Sequence, residues 1–314
     1  MDIIPTFEQR LNRTRPLILD GGLATELEAR GIDLSSELWS AKILREQPEA
    51  IRAAHLAYFE AGAECTISAS YQATQGALMN LGMSAAEADA LMVRSVDLAR
   101  EAREVFMASR APGTEPPLVA ASVGPYGASL ADGSEYTGQY NVDDETLMAF
   151  HGDRLNLLDG SGADLLACET IPSLQEAKVL HALLETTILP AWVSFSCKDG
   201  QHLNDGTLIR DCARLFAGHP RVKAIGVNCS SPVYINSLIN EIRDEESGLA
   251  VVVYPNSGET YDAEGNCWHG TATPLECGVA AGAWWESGAS VVGGCCRMGP
   301  EHILEIAQRV GGNS

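Results

Sequence analysis

Three cysteines carry the most chemical information in this sequence: Cys229 closes the apolar run AIGVNCS, and the adjacent Cys295 and Cys296 close SVVGGCCR. If both runs are parallel strands of one sheet, their thiols converge on one rim. Side chains alternate along a regular strand, so Cys295 and Cys296 face one centre only where the chain turns out of strand geometry. Gly293 and Gly294 are read as supplying that freedom. Three thiolates leave one tetrahedral position open, as a catalytic zinc requires, and soft sulfur favours zinc over magnesium or calcium. A disulfide between the neighbours Cys295 and Cys296 is the competing reading. Cys65, Cys168, Cys197, Cys212 and Cys277 read as buried small residues, while Cys267 lies in a long polar connection from which it could approach a metal.

Two carboxylates fall at corresponding strand ends, Asp20 in LDGG and Glu169 in CET. An acidic group at the end of an apolar strand needs an ionic or hydrogen-bonding partner, and a ligand ammonium would serve. Asn228 beside Cys229, with Asn256 and Ser257 in YPNSG, adds polar groups to the same rim. Each has a plainer use in tying backbone turns, and Asp20 in capping its own turn.

The elements that must position these groups are eight apolar runs: 16–22, 64–71, 117–125, 163–172, 191–197, 224–230, 250–258 and 290–297. Between them lie segments of helical period. Ser84 with Glu87, Ser173 with Glu176 and Thr273 with Glu276 have capping-box spacing, and Pro274 suits the first helical position. Eight strand–helix units predict a (β/α)8 TIM barrel with the site at its C-terminal mouth, a doubly wound sheet being the alternative. No low-complexity linker divides the 314 residues, so a single domain over 1–314 is expected. The long connections 126–142 and 259–273 follow strands and read as lids over that mouth.

A formal charge of -21 without basic clusters argues against nucleic acid as a partner. The apolar runs are too short to span a membrane. Nine scattered cysteines do not resemble a secreted disulfide scaffold, and the N-terminus lacks the layout of a secretion signal; a cytoplasmic location is expected.

The motifs DGGLATELEARG, LWSAK, ASYQAT, SVGPYGASLADGSEY, DLLACET, GVNC, VVYPNSGE and GGCCR together closely resemble the homocysteine S-methyltransferases, from about Leu17 to Arg297. GGCCR paired with the upstream GVNC is the most specific element. The resemblance implies zinc bound by Cys229, Cys295 and Cys296, homocysteine held by Asp20 and Glu169, and Trp39 and Tyr71 bordering the active mouth. It implies a sulfonium methyl donor, S-methylmethionine, with S-adenosylmethionine a second candidate. Betaine-using relatives carry an aromatic residue just after the acidic one, where Thr170 stands here, which weakens betaine as donor. A selenocysteine-using relative, a zinc hydrolase and a zinc-storage or redox protein complete the alternatives. No motif encodes the oligomeric state.

The implied chemistry is economical. A thiol at neutral pH is mostly protonated and a poor nucleophile, and zinc removes that proton. A sulfonium then loses its methyl group as a neutral thioether, so no general acid is needed.

Overall fold

Runs such as LVAASV and LLACETI are apolar on both faces and rich in branched or small side chains, which suits strands covered by packing on each side. The computed structural model describes residues 4–34, 39–130, 133–258, 260–262, 267–269 and 272–312, and each of the eight runs contains a strand there. These are β1 (Leu17–Ile18), β2 (Cys65–Ile67), β3 (Leu118–Val123), β4 (Leu165–Ile171), β5 (Ala191–Phe195), β6 (Val222–Asn228), β7 (Ala250–Tyr254) and β8 (Val291–Val292). Neighbours in the order β1-β8-β7-β6-β5-β4-β3-β2 pair in parallel. A parallel bridge between Leu19 and Cys65 joins the two ends of that order. The result is a (β/α)8 TIM barrel, with helices between its strands.

Alternation along the strands sorts the interior into layers. Leu17, Leu19, Leu118, Ala120, Leu165, Ala167, Trp192, Ala224, Val252 and Val291 form the apolar barrel core. Continuing the same parity toward the strand ends places Ser122, Glu169, Ser194, Asn228 and Tyr254 one layer higher. The outward residues of the strands pack against the helices in a second, larger core. The floor is filled from below: a short helix, Phe7–Leu11, opened by a capping box between Thr6 and Gln9, sets the Phe7 ring 5.8 Å from that of Trp192.

Two of the three expected capping boxes form, at Ser84 with Glu87 and Thr273 with Glu276, the second with Pro274 at the helix start. The third is half made. Ser173 Oγ accepts from Glu176 N, but the fully buried Glu176 carboxylate turns away, accepting from Tyr126 N at 2.6 Å and contacting His151 Nε2 at 2.7 Å. Buried there, the carboxylate takes both contacts on Oε1. They fasten the start of the 126–142 connection, which contains the helix Tyr126–Leu130 and a short turn at Ser134–Tyr136. In the 259–273 connection the described residues form a hairpin, Thr260–Asp262 against Cys267–His269. The Cys267 side chain, like that of Trp39 at the start of helix Trp39–Glu46, lies outside the described residues.

Gly226 on β6 marks the tightest approach in the barrel wall: a Cβ there would lie 1.7 Å from Val252 O of β7. Backbone of a neighbouring strand cannot yield as a side-chain tip can, so Gly226→Ala should destabilise the protein by about 3 kcal/mol. Urea unfolding measures this, and a loss under about 0.5 kcal/mol would contradict the packing described.

Candidate metal and substrate site

The three predicted thiols meet. The sulfurs of Cys229, Cys295 and Cys296 all lie within 4.8 Å of one another, each residue partly buried at the C-terminal end of the barrel. Cys229 and Cys295 are paired as a disulfide with a Cα separation of 5.6 Å, and Cys296 Sγ lies 3.9 Å from Cys229 Sγ. The competing reading, a disulfide between the sequence neighbours Cys295 and Cys296, is not the pairing adopted. Cys229 and Cys295 approach from β6 and β8 across the rim, and a metal bound by all three requires that pair reduced and its sulfurs deprotonated.

The backbone devices that aim these thiols differ from the sequence expectation. Gly293 and Gly294 are absent from the left-handed region; the residues found there include Cys229 (φ 45°), Arg297 (φ 66°) and Thr170 (φ 61°). The glycines supply room instead. A Cβ on Gly293 would lie 2.6 Å from Leu19 Cβ, and one on Gly294 would lie 2.6 Å from Met298 Cβ. The regular strand ends at Val292, after which Gly293 N donates to Val253 O, Gly294 N to Asp20 O and Cys295 N to Pro255 O. The cysteine loop is thus laced to β7 and β1 without being a strand.

Glu169, 7 % exposed, has Oε1 accepting from Ser122 Oγ at 2.5 Å and Oε2 accepting from the Tyr254 hydroxyl at 3.1 Å. Asp20, 4 % exposed, has Oδ2 accepting from Thr66 Oγ1 at 2.5 Å and Ile67 N at 2.8 Å. Burial pushes both carboxyls up to about 7 against these stabilising bonds. Burial also pushes the Cys296 thiol up to about 11.

Asn228 and Ser257 act on the site's framework. Asn228 Oδ1 accepts from Thr170 N and Ser194 Oγ, and its amide donates to Thr170 Oγ1, which holds the left-handed turn after Glu169. Ser257 N donates to Cys296 O, and Asn256 N donates to Ser230 O beside Cys229. Tyr71, past the end of β2, sets its ring against Gly124, past the end of β3, and Ser196 Oγ, past the end of β5, donates to Glu135 O at 3.3 Å, so the 126–142 connection reaches this end of the barrel. A second cluster, His181, Glu185 and His219, lies elsewhere. His219 Nδ1 accepts from Arg221 N and Val222 N, and Nε2 contacts His181 O, so neither nitrogen is available to a metal.

The family model for homocysteine S-methyltransferase matches residues 17–310. The chain belongs to the homocysteine S-methyltransferase family. It is 49 % identical to the homocysteine S-methyltransferase YbgG of Bacillus subtilis over 95 % of this chain and 96 % of that protein. It is similar to the metallated form of the homocysteine methyltransferase MmuM of Escherichia coli, with a TM-score of 0.85 and 44 % identity over 95 % of this chain and 98 % of that one. The oxidised form of MmuM gives a TM-score of 0.86 and 43 % identity over 95 % and 97 %.

Sequence reasoning missed several residues that surround these groups. Ser122 and Tyr254 share the inward parity of Glu169, which is a usable signal. Arg154, on helix Asp144–Asp159, donates to Gly124 O, Ser70 O and Tyr71 O and so ties together the ends of β2 and β3. Its targets are backbone carbonyls, which carry no residue-type signature.

The raised carboxyls fix a pH dependence. A carboxyl whose folded value lies above its unfolded value of about 4 stabilises the fold at low pH, and that contribution is lost as the pH rises through about 7. The melting temperature of metal-free Glu169→Gln should therefore fall less steeply between about pH 5.5 and 8 than that of the parent. Parallel melting curves across that range would show that Glu169 ionises without penalty.

Proposed function

We propose that this chain methylates the thiol of homocysteine to give methionine, with S-methylmethionine as the principal donor, S-adenosylmethionine as a second, and zinc as the metal. The observation that carries this reading is the convergence of Cys229, Cys295 and Cys296 beside two buried carboxylates. Three soft donors within 4.8 Å of one another fit one tetrahedral zinc with a position to spare. When bound there, zinc supplies the Lewis acidity that lets a thiol lose its proton at neutral pH.

The remaining work falls to the chain's own side chains. Asp20 and Glu169 receive the ammonium of homocysteine, and Ser122 and Tyr254 hold the two oxygens of Glu169 in fixed directions. Asn228 and Ser257 border the acceptor through the Thr170 turn and the cysteine loop. Tyr71 borders the mouth, and the 126–142 connection with Tyr136 shields it from water. As the donor's sulfur–methyl bond breaks, a bond forms between that methyl group and the acceptor sulfur. The donor leaves as a neutral thioether without a proton transfer. The chain works as one barrel domain, in the cytoplasm, where its thiols stay reduced.

Purified protein should hold about one zinc per chain, and Cys296→Ala should lose both zinc and activity. Glu169→Gln should keep zinc yet lose about ten- to a hundredfold in kcat/KM for homocysteine, the value of one charge-assisted hydrogen bond. Metal analysis alongside kinetics separates the two roles: an active, zinc-free Cys296→Ala enzyme would remove the metal site from the mechanism.

The donor is tested directly. With homocysteine as acceptor, S-methylmethionine should give a larger kcat/KM than betaine, with S-adenosylmethionine between them. Betaine as the best substrate would overturn the sulfonium assignment.

A further inference from the structure

Thr66 is the middle of a three-residue chain that crosses the barrel wall. Its hydroxyl donates to Asp20 Oδ2 at 2.5 Å, and His55 Nδ1 lies 2.9 Å from the same hydroxyl oxygen. Thr66 stands on the face of β2 opposite Cys65 and Ile67, and His55 meets it from helix Pro48–Glu60. All three residues are buried: His55 is 1 %, Thr66 0 % and Asp20 4 % exposed.

A threonine hydroxyl has a single hydrogen. With that hydrogen given to Asp20, the contact with His55 must run the other way, so Nδ1 carries the ring proton and donates it. The other ring nitrogen, Nε2, is buried and has no hydrogen-bond partner among the described residues. An N–H placed there would be an orphaned buried donor, which is rarer in folded proteins than an under-used acceptor. Burial also keeps the ring neutral, lowering its pKa to about 4.

The reversed chain is the alternative. It would place a proton on Asp20, have Thr66 donate to Nδ1, and put the histidine hydrogen on Nε2, where nothing receives it. The surroundings of Nε2, on the far side of the wall, therefore fix the direction of both bonds.

We propose that His55, acting through Thr66, is a positioning residue that commits Asp20 Oδ2 to the protein and so presents the carboxylate's other oxygen to the substrate ammonium. This rests on the reading of Asp20 as part of the homocysteine pocket. Neither His55 nor Thr66 touches the reacting atoms. Their removal should weaken recognition of the amino group and leave methyl transfer itself intact.

Two measurements on the zinc-loaded enzyme test this. Long-range ¹⁵N–¹H spectra should show His55 as the Nδ1–H tautomer, and an Nε2–H ring would overturn the proposal. In kinetics, His55→Leu and the isosteric Thr66→Val should raise KM for homocysteine about tenfold, with kcat and zinc content little changed. His55→Asn, whose amide nitrogen stands near the place of Nδ1, and Thr66→Ser should recover most of that loss. Transfer to 4-mercaptobutyrate, which is homocysteine without its amino group, should be unaffected by any of the four. Equal losses with both thiols, or an unchanged homocysteine KM in Thr66→Val, would overturn the role of His55. Asp20→Asn in the same assay separates the levels. If it raises KM while Thr66→Val does not, only the positioning role falls; if it leaves KM unchanged, the pocket assignment for Asp20 falls with it.

Discussion

Three sulfurs within 4.8 Å of one another, with two carboxylates buried in the same barrel end, make a place where negative charge cannot accumulate unaided. The chain left to itself keeps that charge low. Cys229 and Cys295 pair, and burial holds the Cys296 thiol and both carboxyls toward their protonated forms. In the function proposed above, a metal ion and a substrate ammonium are the two cations that would relieve the constraint. Much of the local architecture follows from bringing these groups so close. Gly293 and Gly294 let the cysteine loop press against β1 and the segment at Met298, and non-glycine residues stand in left-handed conformations where β4, β6 and the cysteine loop turn away from the barrel axis.

The barrel was legible because its signals are local and repeated. Each of the eight apolar runs holds a strand, and two capping boxes open helices where their spacing said they would. The strands are shorter than the runs because the runs continue into the mouth loops. SVVGGCCR keeps only Val291 and Val292 in the ladder, since its later N–H groups donate around corners to Val253, Asp20 and Pro255.

The metal cluster was legible for a related reason: strand ends of a parallel barrel share one rim, so position along the run is enough to bring Cys229 to Cys295 and Cys296. What escaped depends on partners far apart in sequence. Glu176 has the spacing of a capping residue but is claimed by Tyr126 and His151. Arg154 serves backbone carbonyls, and His55 serves a hydroxyl on the helix-facing side of a strand. Polar contacts of this kind are chosen by the assembled interior, after the periodic pattern has already built it.

The Phe7–Trp192 contact at the floor has a topological meaning. With aromatic rings filling one end, the barrel is a cup, and what reaches the sulfurs comes over the rim that holds them. A closed floor thus turns a packing detail into a doorway at the other end.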